Sequence, residues 1–336
     1  MKVIIDNKIP YIKGVIEQMA DEVIYLPGQA FTPDIVRDAD ALITRTRTCC
    51  NRELLEGSKV QFIGTATIGF DHIDTEYCRE AGITWRNCPG CNAGAVEQYI
   101  HSVLLLLQKE QNVDLSHSCI GIVGVGHVGS RIQQLAERLG MRVLLNDPPR
   151  AAQGEKGFVD LQTIARECDI ITLHTPLIRE GKYPTFHLAD DDFFQSLQKH
   201  PYLINTSRGE VVETTSILQA LKNKQIAGAV IDVWENEPHI SLDLLHRVFI
   251  GTPHIAGYSA DGKANATRMV LDAFCRFFGI QKEFCISLPQ PEYNLQDTDE
   301  DIHQLQMYNP QHDFETLLAH PEKFEQLRGD YPLRRE

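Results

Sequence analysis

Three glycines constrain what this 336-residue chain can fold into. They lie in Gly124-Val125-Gly126-His127-Val128-Gly129, spaced G-x-G-x-x-G, after the apolar run 120–123 and before an amphipathic stretch at 132–139. A buried strand, a tight turn and a helix are the context in which this spacing carries meaning. Gly124 permits the turn, Gly126 lets the backbone approach a pyrophosphate, and Gly129 lets helix and strand pack closely. The helix N-terminus, with its N–H groups and positive dipole end, then holds the phosphates. A second apolar segment, 142–146, ends at Asp147, eighteen positions beyond Gly129. A carboxylate there accepts hydrogen bonds from the adenosine ribose and repels a 2′-phosphate, favouring NAD over NADP. Arg150 argues the other way, since an arginine accepts that phosphate. The plain alternative is a glycine turn beside a solvated Asp.

Composition narrows the function classes. The balance of 32 Lys and Arg against 46 Asp and Glu gives a net charge of −14, which argues against nucleic acid and anionic membranes as partners. The longest aliphatic run, 103–107, is too short to span a bilayer, and the N-terminus enters a strand without a signal peptide. Nine cysteines scattered through apolar segments read as reduced thiols of a cytoplasmic protein. Cys88 and Cys91 form a C-x-x-C, for which redox or zinc chemistry is the alternative to a structural role. Lacking a second such pair, the chain is expected to hold no metal.

Residues 1–95 alternate short strands, at 3–6, 23–26, 41–44, 62–65 and 83–86, with helical stretches at 12–19, 33–37 and 74–81. That is a parallel α/β unit of its own, without a glycine fingerprint. A long helix, 95–108, leads into the nucleotide-binding half. There, helices at 161–168, 191–198 and 215–223 alternate with strands at 170–173, 202–205, 227–232 and 248–251. Helix 260–278 returns to the first unit. The expected fold is α/β: two Rossmann-like or flavodoxin-like doubly wound parallel-sheet domains with a small C-terminal appendage. From about 285 the composition turns polar and proline-rich, and that segment reads as packing on a neighbour or partner.

Ligands of open α/β sheets bind at the carboxyl ends of strands. In the first unit those ends read Thr44-Arg45-Thr46-Arg47-Thr48 and Thr65-Ala66-Thr67-Ile68-Gly69. Arg45 suits bidentate contact with a phosphate or carboxylate, the alternative being a solvated loop residue. In the second half Arg208, Glu237 and His254 each follow a strand end, so their loops should open on one crevice beside the nicotinamide. Oxidising a secondary alcohol sends hydride to the nicotinamide and a proton to a base. His254 is the natural base, Glu237 its orienting acid, and Arg208 the binder of a substrate carboxylate. Singly, such a His is a structural residue and Arg208 a partner for Glu210. Asp232 sits at a strand tip, placed for the nicotinamide carboxamide or as an ordinary turn Asp. His127 faces the phosphates and shapes the loop, while His72 and His174 read as structural.

The glycine motif, His174-Thr175-Pro176-Leu177, Asn205-Thr206-Ser207-Arg208-Gly209, Asp232-Val233-Trp234-Glu235-Asn236-Glu237-Pro238 and Pro253-His254-Ile255-Ala256-Gly257 together resemble the D-isomer-specific 2-hydroxyacid dehydrogenases. The resemblance covers about residues 1–285. It implies that Arg208, Glu237 and His254 are catalytic, and that Gly124, Gly126, His127, Val128, Gly129, Asp147, Thr175, Asp232 and Gly257 contact NAD. Stretches 64–74, 89–93, 146–150 and 254–263 narrow it to members acting on a small phosphorylated 2-hydroxy acid. These imply that Thr46, Thr67 and Tyr258, with Arg45, contact substrate. The family also implies a split substrate-binding domain, 1–95 plus 259–285, around an NAD-binding domain at 96–258. It leaves 286–336 as a shortened dimerisation-type region of a homodimer, resembling the family mainly at 325–335. The competing readings are a sister dehydrogenase for 3-phosphoglycerate, glyoxylate or hydroxypyruvate, and a cofactor-sensing scaffold.

Overall fold

The apolar runs of the first 86 residues form five strands: β1 (Lys2–Asp6), β2 (Glu22–Leu26), β3 (Ala41–Thr44), β4 (Phe62–Thr65) and β5 (Thr84–Arg86). The structure is a computed structural model that describes residues 1–288 and 300–336. The five strands pair in parallel in the order β2-β1-β3-β4-β5, the flavodoxin-like order. β3 and β4 are buried along their whole length because layers cover both faces, as parallel sheets require. On one face Ile5, Ile43 and Phe62 pack with Val270 and Phe274 of the helix Ala260–Phe278. On the other, Ile4, Leu42 and Ile63 meet Leu54, Leu55 and Tyr77. Gly64 permits the close approach of that returning helix, since a Cβ there would lie 2.8 Å from Val270. Residues 1–92, 259–288 and 335–336 belong to this unit.

The expected helix at 12–19 does not form. Tyr11 and Gly14 take positive φ (61° and 85°), and only a 3₁₀ turn, Ile16–Gln18, follows. Ile12, Ile16 and Met19 are buried all the same, so their helix-like spacing records burial of a loop against the sheet.

The second unit comprises 93–258 and 300–334. Its strands are β6 (Cys119–Val123), β7 (Arg142–Asn146), β8 (Ile170–Leu173), β9 (Tyr202–Asn205), β10 (Gly228–Ile231) and β11 (Ile250–Gly251). They are parallel, in the order β11-β10-β9-β8-β6-β7. Beyond β7 a single parallel bridge joins Leu145 to Phe158. Taken as the remnant of a strand, that bridge completes the dinucleotide-binding order, with its switch between β6 and β8. The helix Ala93–Gln111 buries Tyr99, Val103 and Leu107 against one face with Ile120, Ile122 and Ile204. Ile164, Phe194 and Ile217 fill the other face with Ile171 and Leu203.

The C-terminal region holds helices Glu300–Met307, Pro310–Ala319 and Phe324–Gly329, where weak periodicity left none expected. Leu317 and Phe324 are buried in the second unit's core, and Tyr308 packs with Tyr99. The segment read as packing on a neighbour therefore packs on its own chain here; residues 289–299 of the region lie outside those described. Among the described residues no helix is long and apolar enough to cross a membrane.

Candidate active site

The glycine turn leaves β6 at the sheet's switch point. Gly124 has φ +88°, and a Cβ on it would lie 2.6 Å from the His174 carbonyl oxygen at the end of β8. A Cβ on Gly129 would lie 2.1 Å from the Gly124 oxygen, whereas one on Gly126 would meet nothing within 4 Å. Two of the glycines thus allow close backbone packing and the middle one borders open space. His127, exposed, and Val128, half-buried, begin the helix His127–Arg138, whose N-terminus no side chain caps. A diphosphate fits that combination of open space and an uncapped helix start.

Asp147 lies beside the turn. Its carboxylate accepts from the Val125 N–H (2.9 Å) and the Arg150 N–H (3.1 Å). The Arg150 guanidinium is engaged by Glu155 and by the Val125 carbonyl, so it does not stand ready for a 2′-phosphate. The Thr175 hydroxyl is buried with no hydrogen-bond partner among the described residues. A buried hydroxyl left unpaired is costly, and a bound cofactor would supply its partner. His174 bonds Thr172 through Nε2 at 2.9 Å, and burial pushes its pKa down to about 3, so it is a neutral structural ring.

The loops after β9, β10 and β11 are tied together. A Cβ on Gly209 would lie 2.0 Å from the Trp234 carbonyl oxygen, so the Arg208 loop rests directly on the Trp234 backbone. The Trp234 N–H donates to Glu237 Oε1 (2.9 Å), and its indole N–H donates to the Thr252 carbonyl (2.9 Å). His254 Nδ1 donates to Glu237 Oε2 at 2.8 Å. Burial opposes charge on Glu237, but the bonds from His254 and Trp234 and the nearby Arg328 outweigh it, so its carboxyl sits below the usual range. His254 has φ +58°, a left-handed conformation uncommon for a residue with a Cβ. The surrounding bonds hold it there: its N–H donates to the Asp232 carbonyl (2.8 Å), and the Asp232 carboxylate receives the next two N–H groups, of Ile255 and Ala256. Asp232 is 1% exposed, and burial raises its pKa despite these donors. Gly257 and Tyr258 continue the same turn, with Tyr258 edge-on to Tyr331 at 6.2 Å. The half-buried Arg208 donates to its neighbour's carbonyl on Ser207 (2.7 Å).

In the first unit, Arg45 is half-buried and donates to the Lys8 carbonyl at 3.2 Å, and Thr46 is exposed. The Thr67 hydroxyl donates to the Gly69 carbonyl (2.8 Å) and lies 2.7 Å from the Thr65 hydroxyl, which also bonds His72. Cys88 donates to the Thr65 and Ala266 carbonyls. Burial raises both thiols of the C-x-x-C, that of Cys91 to about 11. Neither is thereby a ready nucleophile. Among the described residues no group of His, Cys, Asp and Glu is placed to hold a metal ion.

Two C-terminal arginines were not singled out from sequence. Arg328 lies 3.4 Å from Glu237 Oε2, and Arg334 donates to the Ile255 and Ala256 carbonyls (3.1 and 2.7 Å). The one sequence signal for them was the family likeness of 325–335.

Residues 97–256 match the family described as D-isomer specific 2-hydroxyacid dehydrogenase, NAD binding domain. An erythronate-4-phosphate dehydrogenase of Bacteroides fragilis is 60% identical over 338 residues, covering 100% of this chain and 97% of that protein. One of Bacteroides thetaiotaomicron is 61% identical over 340 residues, with the same coverage. The solved NAD⁺-bound 3-phosphoglycerate dehydrogenase of Entamoeba histolytica superposes with a TM-score of 0.69 at 24% identity, over 83% of this chain and 95% of that one. That structure shares the fold. The chain belongs to the D-isomer-specific 2-hydroxyacid dehydrogenases, among the relatives named erythronate-4-phosphate dehydrogenase.

Proposed function

We propose that the chain oxidises 4-phospho-D-erythronate to (R)-3-hydroxy-2-oxo-4-phosphobutanoate with NAD, a step on the route to pyridoxal 5′-phosphate. The observation that carries the chemistry is the 2.8 Å bond from His254 Nδ1 to Glu237. With Nδ1–H committed to the carboxylate, Nε2 is the ring nitrogen that takes the proton of the C2 hydroxyl. Glu237, held anionic, stabilises the imidazolium that results. Arg208 binds the substrate carboxylate and polarises the oxygen that becomes a carbonyl. NAD, when bound, supplies the hydride acceptor. In this reading Gly124, Gly126, His127, Val128 and Gly129 cradle its diphosphate, Asp147 takes the ribose, and Thr175 and Gly257 line its path. Asp232 anchors the turn that carries His254 and borders the nicotinamide end. The substrate's identity rests on the relatives' names at about 60% identity over the whole chain.

Within this reading Arg45, Thr46, Thr67 and Tyr258 contact the substrate, Arg45 toward the phosphate. NADH formation from 4-phospho-D-erythronate, D-erythronate and 3-phospho-D-glycerate tests the substrate: the first should be turned over far faster than the others. A preference for 3-phospho-D-glycerate would replace this function with that of a sister enzyme. Arg45→Ala should raise KM for the phosphorylated substrate about 10-fold or more, the value of one charge-assisted contact, with NAD affinity unchanged. An equal loss with D-erythronate would remove Arg45 from the phosphate. A homodimer in the cytoplasm completes the proposal. The family likeness and the free thiols support it, and sedimentation of the purified chain tests the dimer.

A further inference from the structure

We infer that Arg328, carried by the C-terminal helix Phe324–Gly329, is a positioning residue that sets the proton balance of the Glu237–His254 couple. Its guanidinium Nη1 lies 3.4 Å from Glu237 Oε2, the same oxygen that His254 Nδ1 reaches at 2.8 Å. An imidazole N–H and a guanidinium therefore share one carboxylate oxygen. The Arg328 side chain is 29% exposed and that of Glu237 17%, so the pair is only partly screened.

The tail that brings Arg328 there is firmly seated. Phe324 is buried in the core, and Leu317 packs with it. Arg334 donates to Gln98 and to the Ala95, Ile255 and Ala256 carbonyls, and its guanidinium stacks 3.9 Å above the Tyr308 ring. Tail side chains thus hold both the acid of the couple and the two residues that follow its base.

The consequence is electrostatic. A fixed positive charge beside Glu237 keeps the carboxylate ionised and satisfies part of its demand for donors. It also opposes the arrival of a second positive charge on His254. Among the described residues, Asp232 accepts the N–H groups that follow His254, and Arg208 sits on the loop resting on Trp234. Glu235, on the same loop as Glu237, is tied to His187 and the Thr214 N–H. On the tail, Glu325 and Asp330 are exposed.

The inference rests on the dehydrogenase reading for its kinetic arm but not for its titration arm. In the full-length protein, NMR titration of the His254 ring (assigned by its loss in H254N) gives the protonation midpoint directly. In R328Q and R328M that midpoint should rise by about 0.5–1 pH unit, the effect of removing one charge at this range. R328K should stay near wild type. The acid limb of kcat should move in the same sense, costing several-fold turnover at mildly acidic pH, with KM for NAD unchanged. Neutral variants that titrate as wild type would overturn the inference, and so would R328K shifting as far as R328Q. If wild type fails to oxidise 4-phospho-D-erythronate, the functional proposal falls while the titration still decides the role of Arg328.

Discussion

His254→Ala should lower kcat for 4-phospho-D-erythronate oxidation about 10³-fold, within the range a positioned general base contributes, and leave NAD affinity unchanged. Its carboxylate partner lies 2.8 Å away on Nδ1, and removing the ring leaves the C2 hydroxyl proton without an acceptor. Folding should survive, because the bonds that hold this turn come from backbone groups and from Asp232. His254→Asn is the matching control. Asn tolerates the left-handed backbone that His254 adopts at φ +58°, yet it is no base at neutral pH. It should therefore be as inactive as Ala. Wild-type turnover should fall as pH drops, because protonation fills Nε2. Glu237 is not the origin of that fall, since its carboxyl sits below the usual range and stays ionised. Retention of more than a tenth of wild-type kcat in either variant would remove His254 from proton transfer.

Gly129→Ala should cost both stability and cofactor binding. Its Cβ would lie 2.1 Å from the Gly124 carbonyl oxygen. That neighbour is backbone, so the overlap clears only if the turn and helix move apart. Overpacking of this kind costs about 1–3 kcal/mol, and displacing the turn should weaken NAD binding about 100-fold. Gly126→Ala separates the two effects. A Cβ there meets nothing within 4 Å, so melting should stay near wild type while NAD binding weakens, since the methyl enters the space reserved for the diphosphate. Thermal melting with NADH fluorescence titration reads both. Equal melting losses at 126 and 129 would contradict the packing argument.

What was legible in the sequence follows from how local each feature is. The glycine turn, the strand ends bearing Arg208 and His254, and the returning helix are contiguous patterns, and the structure has them within a few residues. The helix expected at 12–19 failed because burial of Ile12, Ile16 and Met19 satisfies the apolar spacing without a helix, while Tyr11 and Gly14 turn the chain. The pairing of Phe158 with Leu145 was not legible because it is a single bridge. Arg328 meets Glu237 across 91 positions, a pairing that leaves no periodicity to read. The proline-rich composition of the region gave no sign that Phe324 and Leu317 are buried in the chain's own core.

Proton transfer to the Glu237–His254 couple as the C2 hydrogen leaves as hydride is tested with substrate deuterated at C2. Wild-type protein given NAD and [2-²H]-4-phospho-D-erythronate should form NADH one mass unit heavier, and His254→Ala should form almost none. NADH carrying no deuterium, or equal labelled product from both proteins, would contradict it.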